Sequence, residues 1–250
     1  MDLTGKTIVI TGAASGIGRA TADACVAAGA NVVASDLAGA RLDDAVAALE
    51  SKRQGAAIGV PADIRDGAQV AAVFDRASAR YGRLDGVFAN AGITGPRVPA
   101  GEIDFETWRN VIDVNLHGTF RTASEGARRL IAQGRGGSIV ISGSSQGLRP
   151  VPGFVAYAAT KGALHTLVHS LALELAPQRI RVNALIPGTT NTELVQALGD
   201  GYGERMAKSF PLGELVEPGE LAQLVVFAMT DLAPHMTGTH LKIDSGRLIA

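Results

Sequence analysis

Tyr157 and Lys161 are the residues of this sequence whose types and spacing first suggest chemistry. They are four positions apart in the segment 156–176, whose leucines and valine recur at helical spacing. A phenol and an ammonium therefore lie one above the other on a helix. A phenol titrates near pH ~10, and an adjacent cation favours its ionised form. We expect Tyr157 to act as a general acid and base whose pKa Lys161 lowers, although the spacing alone also suits an ordinary helix face.

Short apolar runs alternate with helix-length segments along the chain. This pattern predicts an α/β fold: residues 1–250 as a single domain, with a Rossmann-like, doubly wound parallel sheet of about seven strands and helices on both faces. In such sheets, ligands bind beyond the carboxyl ends of the strands. The predicted strands are 7–10, 31–35, 57–60, 86–89, 138–142, 181–185 and 240–243, and the predicted helices are 17–28, 41–52, 67–81, 105–132, 156–176 and 218–229.

A glycine-rich loop follows the first predicted strand and opens a helix, with the sequence T-G-A-A-S-G-I-G at 11–18. Glycine lets the backbone approach a pyrophosphate, and the start of a helix supplies free N–H groups and a positive dipole end. No Gly-Lys-Ser/Thr follows, which argues against a nucleotide-hydrolysing P-loop. The loop predicts dinucleotide binding by Gly12, Ser15, Gly16, Ile17 and Gly18.

Asp36 ends the second predicted strand and is followed by Leu37. A carboxylate at this position accepts hydrogen bonds from an adenosine ribose and repels a 2′-phosphate, and neither Ser15 nor Leu37 offers a cation to that phosphate. We therefore expect NAD in preference to NADP. The alternative is that Asp36 only caps the turn that follows.

Composition excludes several classes of function. The 250 residues carry a net charge of −1, and no basic run interleaves with aromatic residues, so a nucleic-acid partner is not expected. No segment reads as a signal peptide or a membrane span, which favours a cytoplasmic location. The single Cys25 suits a core position. His165 and His169 lack a third ligand or an H-E-x-x-H frame, so no metal site is expected.

Several motifs, taken in order, resemble those of the short-chain dehydrogenase/reductase family over essentially the full length of the chain. They are T-G-x-x-x-G-x-G at 11–18, N-A-G at 90–92, Y-x-x-x-K at 157–161 and P-G-x-x-x-T at 187–192. Each is weak alone, but their order is specific. The resemblance implies hydride transfer between NAD(H) and a secondary alcohol or its ketone.

The resemblance also implies roles for individual residues. Ser144, Tyr157 and Lys161 correspond to catalytic residues, and Asn115 to an asparagine that holds a water in the proton relay. The cofactor residues added by the resemblance are Asp63, Ile64, Asn90, Ala91, Gly92, Tyr157, Lys161, Pro187, Gly188, Thr190 and Thr192.

Two positions depart from the family pattern. Counting back from Gly147 selects Ser144 as the catalytic serine, with Gly143 where a serine is usual; Ser142 and Ser145 remain alternatives. Near the end of the sequence, I-D-S-G replaces V-D-G-G, which puts the local turn at Ser245 in doubt.

The substrate pocket is expected to be completed by the segments 93–98, 146–154 and 189–215, the last forming a substrate loop. Gln146 and Thr190 are candidate polar contacts, and the candidate apolar contacts are Leu148, Val151, Phe154 and Met206. These sets do not choose among a polyol, a steroid, a hydroxyacyl thioester and a cyclic alcohol.

Other classes of function remain open. An NAD-binding sensor or scaffold would share the fold but would not need Ser144, Tyr157 and Lys161 together. An enoyl reductase would also use a tyrosine and a lysine, although such relatives commonly separate them by more than three residues. The helices at 105–132 and 156–176 resemble those with which family members form a homotetramer or homodimer.

Overall fold

The computed structural model of the chain describes residues 1–199 and 201–250, which are organised around a seven-stranded sheet. Neighbouring strands are all parallel, in the order β3-β2-β1-β4-β5-β6-β7. The strands are β1 (Thr7–Thr11), β2 (Asn31–Asp36), β3 (Ala57–Pro61), β4 (Gly86–Ala89), β5 (Gly137–Ser142), β6 (Ile180–Pro187) and β7 (His240–Ile243). Each predicted strand is confirmed to within two residues at either end.

Helices cover both faces of this sheet. Helices α1, α2 and α9 pack on one face, and α3, α5 and α6 on the other. The helices are α1 (Gly16–Ala27), α2 (Ala40–Lys52), α3 (Gly67–Tyr81), α4 (Phe105–Ile112), α5 (Thr119–Gln133), α6 (Val155–Leu175), α7 (Glu193–Gln196), α8 (Tyr202–Ala207) and α9 (Pro218–Met229). None of the described helices is long and apolar enough to cross a membrane.

The strand β1 shows why the apolar runs are nearly continuous. Successive side chains point to opposite faces. Ile8 and Ile10 therefore enter the hydrophobic cluster under α1, α2 and α9, whereas Val9 enters the cluster under α3, α5 and α6. All three are fully buried. Because both faces are covered, both alternating sets of side chains must be apolar.

One sequence prediction about the helices was wrong in detail. The segment 105–132 is not one regular helix, because a π-helical turn at Asp113–Gly118 separates α4 from α5. The predicted substrate loop at 189–215, whose residue 200 lies outside the described residues, contains the short helices α7 and α8, and Thr190 forms a β-bridge with Val216 just beyond it. Its role toward substrate stays a prediction.

Candidate active site

A cavity of about 490 Å³ lies at the carboxyl ends of the strands and gathers most of the predicted site residues. Of those residues, only Gly18 and Asn115 do not line it. The residues that do are Gly12, Ser15, Gly16, Ile17, Asp36, Leu37, Asp63, Ile64, Asn90, Ala91, Gly92, Ser144, Tyr157, Lys161, Pro187, Gly188, Thr190 and Thr192.

The glycine-rich loop has the geometry of an anion cradle. Gly12 and Gly16 take positive φ angles of 67° and 51°, which favour glycine. Ser15 caps α1 without a side-chain hydrogen bond, so the first amide groups of the helix face the cavity without a side-chain cap. The Ser35 hydroxyl, also in the cavity wall, is buried and has no hydrogen-bond partner among the described residues. These features fit a dinucleotide with its pyrophosphate at the start of α1.

Gly18 packs closely against the main chain of the glycine-rich loop. A Cβ at position 18 would lie 2.0 Å from the carbonyl oxygen of Gly12, so Gly18→Ala must displace the loop. Such overpacking costs roughly 1–3 kcal/mol. We expect a lower melting temperature and at least about tenfold weaker NADH binding, equivalent to roughly 1.4 kcal/mol.

Gly67→Ala is the matched control for this prediction. Gly67 also lies in the first turn of a helix, but a Cβ there meets no atom within 4 Å. Thermal unfolding and fluorescence titration with NADH compare the two variants. Equal stability and equal NADH affinity in both would contradict the role of Gly18.

Asp36 and Asn90 hold the loop in place through the main chain. The Asp36 carboxylate accepts hydrogen bonds from the amides of Ala14 (2.9 Å) and Leu37 (2.8 Å). The Asn90 side chain donates to the carbonyls of Thr11 (3.1 Å) and Gly12 (3.3 Å). Asp36 thus does cap the following turn, and it does so while lining the cavity.

Asp63 is held by a neighbouring cation. Its carboxylate accepts hydrogen bonds from the Arg65 guanidinium, the shortest at 2.6 Å, and these bonds lower the pKa of Asp63. Arg65 also lines the cavity and donates to Asn110. Asp63, a predicted cofactor residue, thus also pairs with Arg65, an interaction that the sequence did not indicate.

Helix α6 presents Tyr157 and Lys161 to the cavity because the turn after β5 packs tightly against it. A Cβ on Gly147 would lie 2.7 Å from the backbone carbonyl of Lys161, so only glycine allows this approach. The Lys161 ammonium is buried, donates to the carbonyl of Ser142 at 2.6 Å, and lies 5.6 Å from the centre of the Tyr157 ring.

Burial and two neighbouring groups act on the pKa of Tyr157. Burial raises the pKa of the phenol, and the groups that lower it are a hydrogen bond with Ser144 and the charge of Arg247. Lys161 is not among them. Burial also lowers the pKa of Lys161 to about 8. The expectation that Lys161 lowers the pKa of the phenol therefore stays a prediction.

The three candidate serines, Ser142, Ser144 and Ser145, make different contacts. Ser145 accepts a hydrogen bond from Arg247 at 2.6 Å, and Ser142 offers its carbonyl to Lys161. The Ser144 hydroxyl is the one that interacts with the Tyr157 phenol, which favours it as the catalytic serine.

Gly143 replaces the usual serine for a steric reason. A Cβ at this position would lie 2.7 Å from Ile186 and 3.2 Å from the His165 ring. The chain therefore keeps glycine beside Ser144.

Asn115 lies in the π-helical turn and is fully buried. Its amide donates to the carbonyl of Ile93 at 2.7 Å, and its oxygen accepts from the amide of the same residue at 2.8 Å. It therefore positions the chain after β4, and its role in holding a water stays a prediction.

His165 and His169 meet a third histidine that sequence reasoning did not pair with them. The ring centre of His240 lies 4.8 Å from each, and its ring stacks on His169. Burial lowers the pKa of His165 to about 4. Within residues 1–199 and 201–250, no group of histidine, cysteine or acidic side chains is arranged to hold a metal ion.

The substrate end of the cavity contains some expected residues and some that sequence reasoning missed. Gln146, Thr190, Val151 and Met206 line it as expected, together with Leu198. The predicted contacts Leu148 and Phe154 do not, because Leu148 faces solvent and Phe154 is packed inside.

Tyr202 and Arg247 also line the cavity and were missed. For Arg247 the available signal was a lone arginine beside apolar residues after I-D-S-G. Ser245 takes a φ of 53° in this turn, the left-handed conformation for which glycine is better suited.

Comparison with known proteins explains the fold and the motifs together. Residues 12–247 match the family model described as enoyl-(acyl carrier protein) reductase. The crystal structure of a short-chain type dehydrogenase/reductase from Mycobacterium marinum superposes with a TM-score of 0.95 and 32% identity, covering 100% of this chain and 98% of that one. The chain belongs to the short-chain dehydrogenase/reductase family. It is thus an oxidoreductase, and the resemblance read from its motifs is confirmed.

Similar members of the short-chain dehydrogenase/reductase family include two ring-alcohol enzymes. The 2,5-dichloro-2,5-cyclohexadiene-1,4-diol dehydrogenase of Sphingobium indicum is 37% identical over 98% of both chains. The cis-4-hydroxycyclohexanecarboxylate dehydrogenase of Sinomonas cyclohexanicum is 38% identical over 96% of both. The structure of carveol dehydrogenase from Mycobacterium avium in complex with NAD superposes with a TM-score of 0.93 and 28% identity over 99% of both.

Proposed function

We propose that this protein is an NAD-dependent dehydrogenase of cyclic secondary alcohols that also reduces the corresponding ketones. The observation that carries the proposal is the convergence of Ser144, Tyr157 and Lys161 on the cavity that also contains the glycine-rich loop and Asp36. A bound nicotinamide would supply the acceptor or donor of hydride. All other steps fall to side chains of this chain.

Ser144, Tyr157 and Lys161 have different roles in this proposed reaction. Ser144 donates a hydrogen bond to the substrate oxygen, and Tyr157 exchanges a proton with that oxygen. Because burial raises the pKa of Tyr157, the phenol keeps its proton at neutral pH, which suits proton donation to a ketone. Lys161 is held on the Ser142 carbonyl with its charge beside the ring, where it stabilises the phenolate formed in ketone reduction.

The preference for NAD rests on Asp36. Its carboxylate lines the cavity at the end of β2, where it would repel a 2′-phosphate. Arg41, the nearest cation along the chain, pairs with Glu193 at 2.8 Å. The NAD complex of the related carveol dehydrogenase supports the same choice.

Substituting Asp36 should separate charge from loop anchoring. Asp36→Asn removes the charge and keeps an acceptor for an amide, whereas Asp36→Ala removes both. We expect both variants to raise the NADP:NAD ratio of kcat/KM by at least about tenfold, equivalent to roughly 1.4 kcal/mol. We expect a clear loss of NAD affinity only in Asp36→Ala, because only that variant frees the Ala14 amide. Steady-state kinetics with both nucleotides measure this, and an unchanged ratio in both variants would overturn the assignment.

A ring substrate is supported by the cavity wall and by the relatives. Val151, Leu198 and Met206 offer an apolar surface near the catalytic groups. The relatives named above from Sphingobium and Sinomonas act on six-membered ring alcohols. A compact ring fits such a wall better than an extended polyol. The Tyr157–Lys161 spacing favours alcohol chemistry over the enoyl reduction named in the family description.

The proposal is tested by following NADH formation with a panel of alcohols. Cyclohexanol and cyclohexanediols are compared with acyclic polyols, a hydroxysteroid and a hydroxyacyl thioester, with Tyr157→Phe as the blank. We expect the ring alcohols to give the highest kcat/KM. No NADH from any alcohol would favour a sensor or scaffold, and a best substrate outside the rings would overturn the class.

The proposal includes assembly of one-domain subunits into a homotetramer or homodimer in the cytoplasm. Phe105 at the start of α4, Phe120 on α5 and Leu173 on α6 are exposed apolar residues that an interface would cover. Sedimentation analysis tests the assembly.

A further inference from the structure

Arg247 is a buried cation in the substrate end of the cavity. It is 5% exposed, and it lines the cavity that holds Tyr157. Its charge is close enough to the phenol to lower the pKa of Tyr157. Among the described residues, no carboxylate forms an ion pair with it: the charge of Asp244 acts on it, but the Asp244 oxygens bind main-chain amides, and the nearby charge of Arg149 has the same sign. A buried cation without a counter-ion is costly unless something else supplies the negative charge.

The guanidinium of Arg247 is held in a fixed orientation. It donates to the hydroxyl of Ser145 at 2.6 Å and to the carbonyl of Arg149 at 2.7 Å. A guanidinium has five N–H donors, so these two bonds leave donors for a further partner.

The turn that carries Arg247 is itself well ordered. The Asp244 carboxylate accepts hydrogen bonds from the amides of Gly246 (3.1 Å) and Leu248 (2.9 Å). A Cβ on Gly188 would lie 2.6 Å from the Cα of Asp244, so the turn packs directly on the chain after β6. The fold therefore fixes the position of the Arg247 guanidinium.

Arg247 is too far from the adenosine end to serve as a 2′-phosphate site. Asp36 ends β2 and Arg247 follows β7, and five strand intervals separate these strands in the sheet. At about 4.8 Å per interval they are roughly 24 Å apart across the sheet. The 2′-phosphate of NADP is therefore not the partner of Arg247.

The other acidic residues of the cavity wall are already engaged. Asp36 binds two main-chain amides, Asp63 binds Arg65, and Glu193 binds Arg41. No lining acid within residues 1–199 and 201–250 is thus left for Arg247.

We propose that Arg247 binds a carboxylate on the substrate, so that the preferred substrate is a cyclic secondary alcohol bearing a carboxylate group. This proposal rests on the ring-alcohol function above and adds the charge of the substrate. A planar carboxylate matches the guanidinium fork. A single cation suits a monoanion better than a phosphate dianion, because the guanidinium of Arg149 is directed to the main-chain carbonyl of Arg247 and does not line the cavity.

Binding of substrate-like acids that lack the hydroxyl tests the proposal without turnover. Isothermal titration of the NAD-loaded enzyme compares cyclohexanecarboxylate with the neutral cyclohexanecarboxamide. We expect the wild type to bind the carboxylate at least about tenfold more tightly, as a charged hydrogen bond of roughly 1.5–3 kcal/mol predicts. Equal affinities in the wild type overturn the proposal, and this comparison requires no variant to fold.

Arg247→Gln and Arg135→Gln form the matched pair of variants. We expect Arg247→Gln to lose the preference for the carboxylate and keep its affinity for the carboxamide. Arg135→Gln should behave as the wild type, since its side chain is exposed and does not line the cavity. An equal loss in both variants would assign the effect to general charge and overturn the specific role of Arg247.

Turnover separates this proposal from the function on which it rests. A carboxylate preference in binding with no NADH from any ring alcohol would remove the enzyme function and leave the anion site. Efficient oxidation of neutral ring alcohols with no preference for their carboxylates would leave the function and remove the anion site.

Discussion

Tyr157→Phe is expected to lower turnover by at least about a hundredfold while NADH affinity stays within about twofold, because general acid–base groups contribute about 10²–10⁴ in rate. The substitution removes only the phenolic oxygen, so the ring remains in place beside Lys161. Without that oxygen, the phenolic proton that interacts with Ser144 is lost. Stopped assays for product and fluorescence titration with NADH measure the two effects.

Tyr81→Phe is the matched control for Tyr157→Phe. Tyr81 ends α3, and its hydroxyl donates to the carbonyl of Gly55, away from the cavity. It should keep wild-type turnover. If Tyr157→Phe retained more than about a tenth of the activity, Tyr157 would not be the acid and base.

Lys161→Met is expected to lower turnover by a similar factor, for an electrostatic reason. The ammonium is buried beside the phenol, and its hydrogen bond to the Ser142 carbonyl keeps it there. Removing the charge withdraws its support from the phenolate that forms when Tyr157 gives up its proton. Lys208→Met, on the exposed end of α8, is the control and should keep full activity.

Lys161→Met should also stabilise the nucleotide-free protein, with a distinctive pH dependence. Burial lowers the pKa of Lys161 from 10.5 to about 8, so folding disfavours its ammonium by about 3 kcal/mol. Below pH 8 both the folded and the unfolded chain hold the proton, and the wild type bears the full cost. As pH rises toward 10.5, only the unfolded chain still holds it, so wild-type stability increases.

The melting temperature of Lys161→Met is therefore expected to exceed that of the wild type by several degrees at about pH 7. The difference should shrink between about pH 8 and pH 10. Scanning calorimetry across this range measures it. A difference that is constant with pH, or that favours the wild type at neutral pH, would contradict an uncompensated ammonium at this position.

The sheet was predictable from sequence because its rules are local. β-branched runs bounded by glycine and polar residues identify parallel strands, and their order along the chain identifies the faces. The glycine-rich loop was predictable for the same reason, since Gly12 and Gly16 adopt the positive φ angles that such a turn requires.

The electrostatics of the site depended on contacts that sequence spacing does not record. Arg247 is 90 positions from Tyr157 along the chain, and it reaches the phenol only because β7 lies beside β6 in the sheet. The burial that raises the pKa of Tyr157 is equally a property of the assembled layers. Helical spacing alone therefore predicts Tyr157 and Lys161 as candidate catalytic side chains, but it could not indicate that Ser144 and Arg247 also act on the phenol.

The π-helical turn at Asp113–Gly118 joins α4 and α5 into one continuous rod and changes the direction in which the side chains of α5 point relative to those of α4. Each residue of a helix advances about 100° around the axis, so an extra residue in one turn rotates everything after it by that angle. The face of α4 lies against α6, which carries Tyr157, while α5 turns toward α3. The rod thus contacts both α6 and α3, two helices on the same face of the sheet, through differently oriented faces of α4 and α5.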